Sequence, residues 1–150
     1  MTVGASPALV IGSAGADHVS IAVTGREHPD ADDDGWDANW VVAVISVVMG
    51  GFRGTVRASL RTDEIHRFNR ELKSLNTTLA GTAVLDSLER WIALTVRAES
   101  RGQIRVCGEI RDRAGGGNVL AFEMTEVDQT YIGGWIDGLD AIAAEFPIIS

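Results

Sequence analysis

The densest chemistry in the chain lies at residues 28–40, HPDADDDGWDANW, where five aspartates fall within eight positions beside two tryptophans. Carboxylates at alternate positions are what a calcium loop uses. Asp30, Asp32, Asp34 and Gly35 fit the opening of the D-x-D-x-D-G template. The template then requires a bidentate glutamate at its twelfth position, which here is Val41. It also requires a helix to follow, whereas this segment runs into the valine-rich stretch NWVVAVISVVM. The sequence therefore predicts no metal site of this kind, and reads the segment as an acidic surface leading into a strand. The same aspartates do not form an acid–base pair: in an exposed loop, Asp32 and Asp34 keep ordinary acidity and stay ionised near neutral pH.

Other reactive groups are isolated. Cys107 lies in a strand pattern between Arg105 and Glu109, with no histidine on its face and no G-x-S-x-G elbow anywhere. His18, His28 and His66 are scattered and make no zinc spacing. GSAG and GGGN match neither the phosphate loop nor the dinucleotide fingerprint. No pattern calls for a cofactor. One cationic arrangement remains: Arg53, Arg57 and Arg61 share one side of a strand, with Arg97, Arg105 and Arg111 expected on neighbouring strands. A pocket around Arg57, Arg97 and Arg105 would suit an anion. The opposing reading pairs these arginines with Glu89, Glu109 and neighbouring acids.

Charge limits the partners. The chain has 150 residues, 21 acids and 13 bases, for a formal net charge of −8. A nucleic-acid binder normally shows a basic excess, so nucleic acid is not expected. The acids gather at the two ends and the arginines in the middle. The single cysteine fits a reducing compartment. The N-terminal residues lack the positive leading segment of a secretory signal. The longest apolar run, Trp40 to Met49, is far short of the ~20 residues that span a bilayer. These features predict a cytoplasmic protein with no membrane partner, built as a single domain over 1–150.

The elements that position these residues follow from periodicity. Strands are predicted at about 7–12, 18–25, 39–49 and 52–61, with Gly50-Gly51 as a hairpin turn. In FRGTVRASLR, Phe52, Gly54, Val56, Ala58 and Leu60 alternate with polar residues, one face in the core and one wet. Thr62 is the expected N-cap of a helix over 63–76, with Ile65, Phe68, Leu72 and Leu75 on one stripe. Four more strands are predicted at about 82–86, 90–98, 103–111 and 118–127. A second helix spans 130–146, with Ile132, Trp135, Ile136, Leu139, Ile142 and Phe146 on one side. The fold class is α+β: a largely antiparallel sheet of about seven or eight strands, with both helices packed on one face.

Three stretches taken together, DGWDANW (34–40), GGFRGTVRASLRTDEIHRFNREL (50–72) and LAFEMTEVDQTYIGGWIDGLDAIAAEFP (120–147), resemble the WapI-type immunity proteins and the small bacterial proteins grouped with them. The matching positions are Trp36, Asp37, Asn39 and Trp40, then Gly51, Phe52 and Gly54, then Asp128, Gln129 and Thr130. The resemblance implies a protein that protects its own cell by binding a cognate toxin domain. Many such toxins have cationic substrate clefts, into which an acidic inhibitor can be steered. On that reading Asp30, Asp32, Asp33, Asp34 and Asp37, beside the anchor Trp36, form the partner-binding patch. Trp40 is expected in the core, and Asp128 and Thr130 are expected as helix caps. The alternatives are a small-ligand or anion-binding protein, with or without catalysis, using the arginine face, and a structural domain that self-associates through an exposed strand edge.

Overall fold

The structure is a computed structural model that describes residues 5–13, 15–30 and 36–150. Its first half is a meander of β1 (Ala8–Gly12), β2 (His18–Arg26), β3 (Trp40–Met49) and β4 (Phe52–Arg61), paired antiparallel in chain order. Helix α1 (Thr62–Thr78) follows directly. A second antiparallel meander comprises β5 (Thr82–Asp86), β6 (Ile92–Ala98), β7 (Gln103–Arg113) and β8 (Gly116–Asp128). Helix α2 (Ile132–Glu145) closes the order. The antiparallel α+β architecture of eight strands and two helices is as the periodicity predicts. The strands divide into two four-stranded sheets because α1 separates β4 from β5, so that each meander pairs within itself.

Alternation sets the core. Val41, Ala43, Ile45 and Val47 of β3 face inward and are buried, as are Leu94 and Val96 of β6 and Val106 and Ile110 of β7. Residues of both sheets and both helices join one buried cluster, to which α1 contributes Phe68, Leu72 and Leu75 and α2 contributes Trp135, Leu139 and Ile142. Small residues set how closely the layers approach. A Cβ on Gly54 would stand 3.7 Å from Ile110 Cδ1 and 3.8 Å from Leu120 Cδ1, so β4 lies against the second sheet. A Cβ on Gly138 would fall 2.5 Å from the Ala8 carbonyl. That glycine weakens α2 as an isolated helix, by about 1 kcal/mol relative to alanine, yet it is what lets α2 lie directly on β1.

The helices also shield strand edges. While α2 covers β1, α1 packs against β5, and Glu71 Oε1 accepts the Val84 N–H at 2.8 Å. An edge strand leaves backbone groups open to another chain; two of the four edges are closed in this way.

Candidate functional site

Residues 36–40 do not simply enter β3. Asp37–Asn39 form a short 3-10 turn, and this turn becomes a junction between β3, β4, α1 and the C-terminal residues. Arg61, the last residue of β4, turns inward there and is only 7% exposed. Its guanidinium carbon lies 3.9 Å from the ring centroid of Trp36 and 5.0 Å from that of Trp40. Nη1 donates to the Trp36 carbonyl at 2.9 Å, and Nε pairs with Asp63 at 2.9 Å. Only the planar, delocalised arginine cation can stack and fork in this way. The two indoles meet edge to face, 6.2 Å apart.

Asn39 is buried and holds the tail. Its Nδ2 donates to the Ile149 carbonyl at 2.7 Å, and its Oδ1 accepts both the Ile149 N–H at 2.8 Å and the Thr62 hydroxyl at 2.7 Å. Arg26 adds a second tie, donating to the carbonyls of Ala38 at 2.8 Å and Pro147 at 2.7 Å, with its charge over the Phe146 ring. Thr62 is therefore not the N-cap that its type suggests. It is the first helical residue, and its hydroxyl is taken by Asn39; Glu64 instead accepts the Arg61 N–H at 3.0 Å and the Leu88 N–H at 2.7 Å. Burial raises the Glu64 pKa above its ordinary value, against the opposing pull of these two backbone donors.

The surface of this corner combines apolar and acidic groups. Trp36 is 53% exposed although its ring is held from beneath, whereas Trp40 is buried as expected. Ile148, Ile149 and Leu88 are also exposed, as are Asp37 and Asp63. Asp30 is exposed at the end of the segment after β2. Asp32, Asp33 and Asp34 lie outside the described residues. Val41, the twelfth position of the calcium template, is fully buried in a strand, where the template needs a liganding glutamate and a helix. Among the described residues no three His, Cys, Asp or Glu side chains are placed to share a metal ion.

The arginines of the alternative site separate. Arg97 and Arg105 are direct cross-strand partners in the second sheet, and both reach Glu99, at 3.5 and 2.8 Å. Arg105 also reaches Glu123 at 3.2 Å. Arg57 stands exposed on β4 of the first sheet, opposite Val44. Arg111 pairs with Glu109 at 3.3 Å, as the ion-pairing reading expects. Asp128 caps the 3-10 turn before α2, accepting from the Thr130 N–H and hydroxyl, and these bonds lower its pKa.

A family model matches residues 10–147 of the chain. The chain belongs to the immunity protein WapI-like family. No individually curated protein matches it. The family match spans every strand and helix from late β1 through α2, and it includes the Trp36–Trp40 junction. Asn39 and Arg61 thus acquire a structural meaning that their resemblance alone did not give. Asn39 stands out in sequence only as part of W-D-A-N-W, and Arg61 looks like any wet-face arginine. No helix among the described residues is long and apolar enough to cross a membrane.

Proposed function

We propose that this protein is a non-enzymatic, cytoplasmic immunity protein that neutralises a cognate toxin domain by occupying it. Its contact surface is the Trp36 corner, together with Asp30, Asp32, Asp33, Asp34 and Asp37. Membership of an immunity family supports the class of function. The observation that carries the choice of surface is Trp36: half exposed, yet fixed by Arg61 and Trp40 from below. An aromatic side chain ordered before binding loses little entropy on contact, and tryptophan is among the residues most enriched at interface hot spots. The surrounding carboxylates would speed the encounter with a basic cleft and set its orientation. Arg97 and Arg105 already share carboxylates, so the anion-binding alternative gains no support from their geometry.

The test is capture of the toxin domain by the tagged protein at low and high salt, followed by binding kinetics on the partner identified by mass. Trp36→Ala is expected to weaken the complex about 30-fold, the effect of losing a hot spot of about 2 kcal/mol. Replacing the five aspartates by asparagine is expected to slow association and remove most of its salt dependence. A toxin complex that keeps its affinity and salt response in both variants would move the interface elsewhere on the protein.

A further inference from the structure

Of the four strand edges, α2 covers β1, and α1 covers β5 with Glu71 bonded to its backbone. Edge β4 presents Arg53 and Arg57 on its exposed side, two residues either side of Thr55. Pairing this strand with its own copy about Thr55 would set arginine against arginine, which is destabilising for directly opposed like charges. The remaining edge is β8, the longest strand, and among the described residues no backbone bond is made on its outer side.

Within β8 only one stretch is regular. Two residues, Gly117 and Asn118, oppose Asp112 at its start, and two, Thr125 and Glu126, oppose Arg105 near its end. Both are bulges, which bend a strand and stop it accepting a neighbour. Between them Val119–Met124 pair residue for residue with Arg111–Val106 of β7. At its far end, from Glu123 to Val127, the strand borders a cleft of about 420 Å3 against the β1–β2 turn, beyond the centre of the regular segment. That segment lacks the lysines and prolines that usually blunt an edge. Beside it lies exposed apolar surface: Val119 is 44% exposed, and Phe52, on the same face of β4 as Gly54, is 72% exposed.

We propose that β8 is a self-association edge, at which two copies of this chain pair antiparallel about a two-fold axis through Ala121 and join their second sheets into one. An isologous contact must be self-complementary, and this register is. It sets Leu120 opposite the second copy's Phe122 on the inner face. It sets Ala121 against Ala121 on the outer face, where small side chains let the strands meet. It places Glu123 opposite Val119, so that no like charges are opposed. Each Arg111, the β7 neighbour of Val119, then lies in the same cross-sheet row as the second copy's Glu123. The proposal does not depend on the toxin-binding reading.

Sedimentation equilibrium over a dilution series is expected to give twice the 16.0 kDa chain mass. Ala121→Lys puts two ammonium groups face to face at the axis and is expected to return the mass to one chain, with the circular dichroism spectrum retained. As a register test, Ala121→Cys in a Cys107→Ser background brings two cysteines together at the axis. Directly opposed strand residues have Cα separations of about 4.5–5.5 Å, which suits a disulfide, so mild oxidation is expected to give a cross-linked pair. This second variant decides the matter if the lysine variant fails to fold. A single-chain mass at every wild-type concentration overturns the proposal and leaves the edge for an extended segment of another protein. A dimer that survives Ala121→Lys, or cysteines at 121 that do not cross-link, also overturns it.

Discussion

Arg61 and Arg105 both sit on strands of alternating pattern, and both are paired with carboxylates, yet they work in different dielectric surroundings. Arg61 is sealed under Trp36 and Trp40, with Nη1 on the Trp36 carbonyl and Nε on Asp63. Arg105 lies on an open sheet face, where its side chain is 40% exposed between Glu99 and Glu123. Water competes for every contact of the second and for few of the first. The same residue type is therefore structural at one corner and close to neutral in energy at the other.

The largest expected effect comes from breaking the sealed corner. Arg61→Ala removes the stacked cation and its hydrogen bond to the Trp36 carbonyl, and is expected to cost about 3 kcal/mol in urea denaturation. A loss below about 1 kcal/mol would mean that the indoles hold the corner without it.

Charge burial also separates the two environments by pH. Glu64, next to Arg61, has a pKa raised above 4.5 by burial, so the folded protein holds its proton more tightly than the unfolded chain. Its contribution is full below pH 4.5 and is lost as pH rises through the raised value. Exposed Asp140 behaves in the opposite sense: hydrogen bonds from Asn69 and Lys73 hold its pKa below 3.8, so its stabilisation is present above pH 3.8 and lost as pH falls through the lowered value. Denaturation curves across this range are expected to lose the first slope in Glu64→Gln and the second in Asp140→Asn. The Asp140 step is expected to be no more than about 0.5 kcal/mol, because solvent screens it.

The smallest effect belongs to the open ladder. Arg105→Ala is expected to change stability by about 0.5 kcal/mol, and high salt should erase even that. A salt-resistant loss above about 1 kcal/mol would show that the Glu99 and Glu123 contacts behave as a buried network.

Local periodicity carried most of the fold. The turn at Gly50-Gly51, the alternation of β4 and the stripe Ile65–Phe68–Leu72–Leu75 each depend on neighbours a few residues apart, and each element lies where its pattern places it. The division into two sheets was not legible, because strand alternation says which face is buried and nothing about which meander a strand joins. The candidate site was half legible. The acidic, tryptophan-bearing segment announces itself by composition, and the burial of Trp40 follows from the strand it begins. The inward turn of Arg61 and the tie from Asn39 to Ile149, 110 residues apart, leave no local signature. Thr62 was misread for the same reason: its hydroxyl is claimed by a partner 23 residues away and not by its own helix.

The tie between Asn39 and Ile149 also has a meaning in time. A ribosome finishes both tryptophans, both sheets and both helices before it reaches the residues that Asn39 and Arg26 grip. Until then the chain lacks the residues that Asn39 and Arg26 hold. A chain that stops short of Pro147 would therefore lack the ties that Arg26 and Asn39 make to the tail, and its Trp36 corner would be loosened. A purification handle placed directly behind Ile149 would sit at the clamp itself.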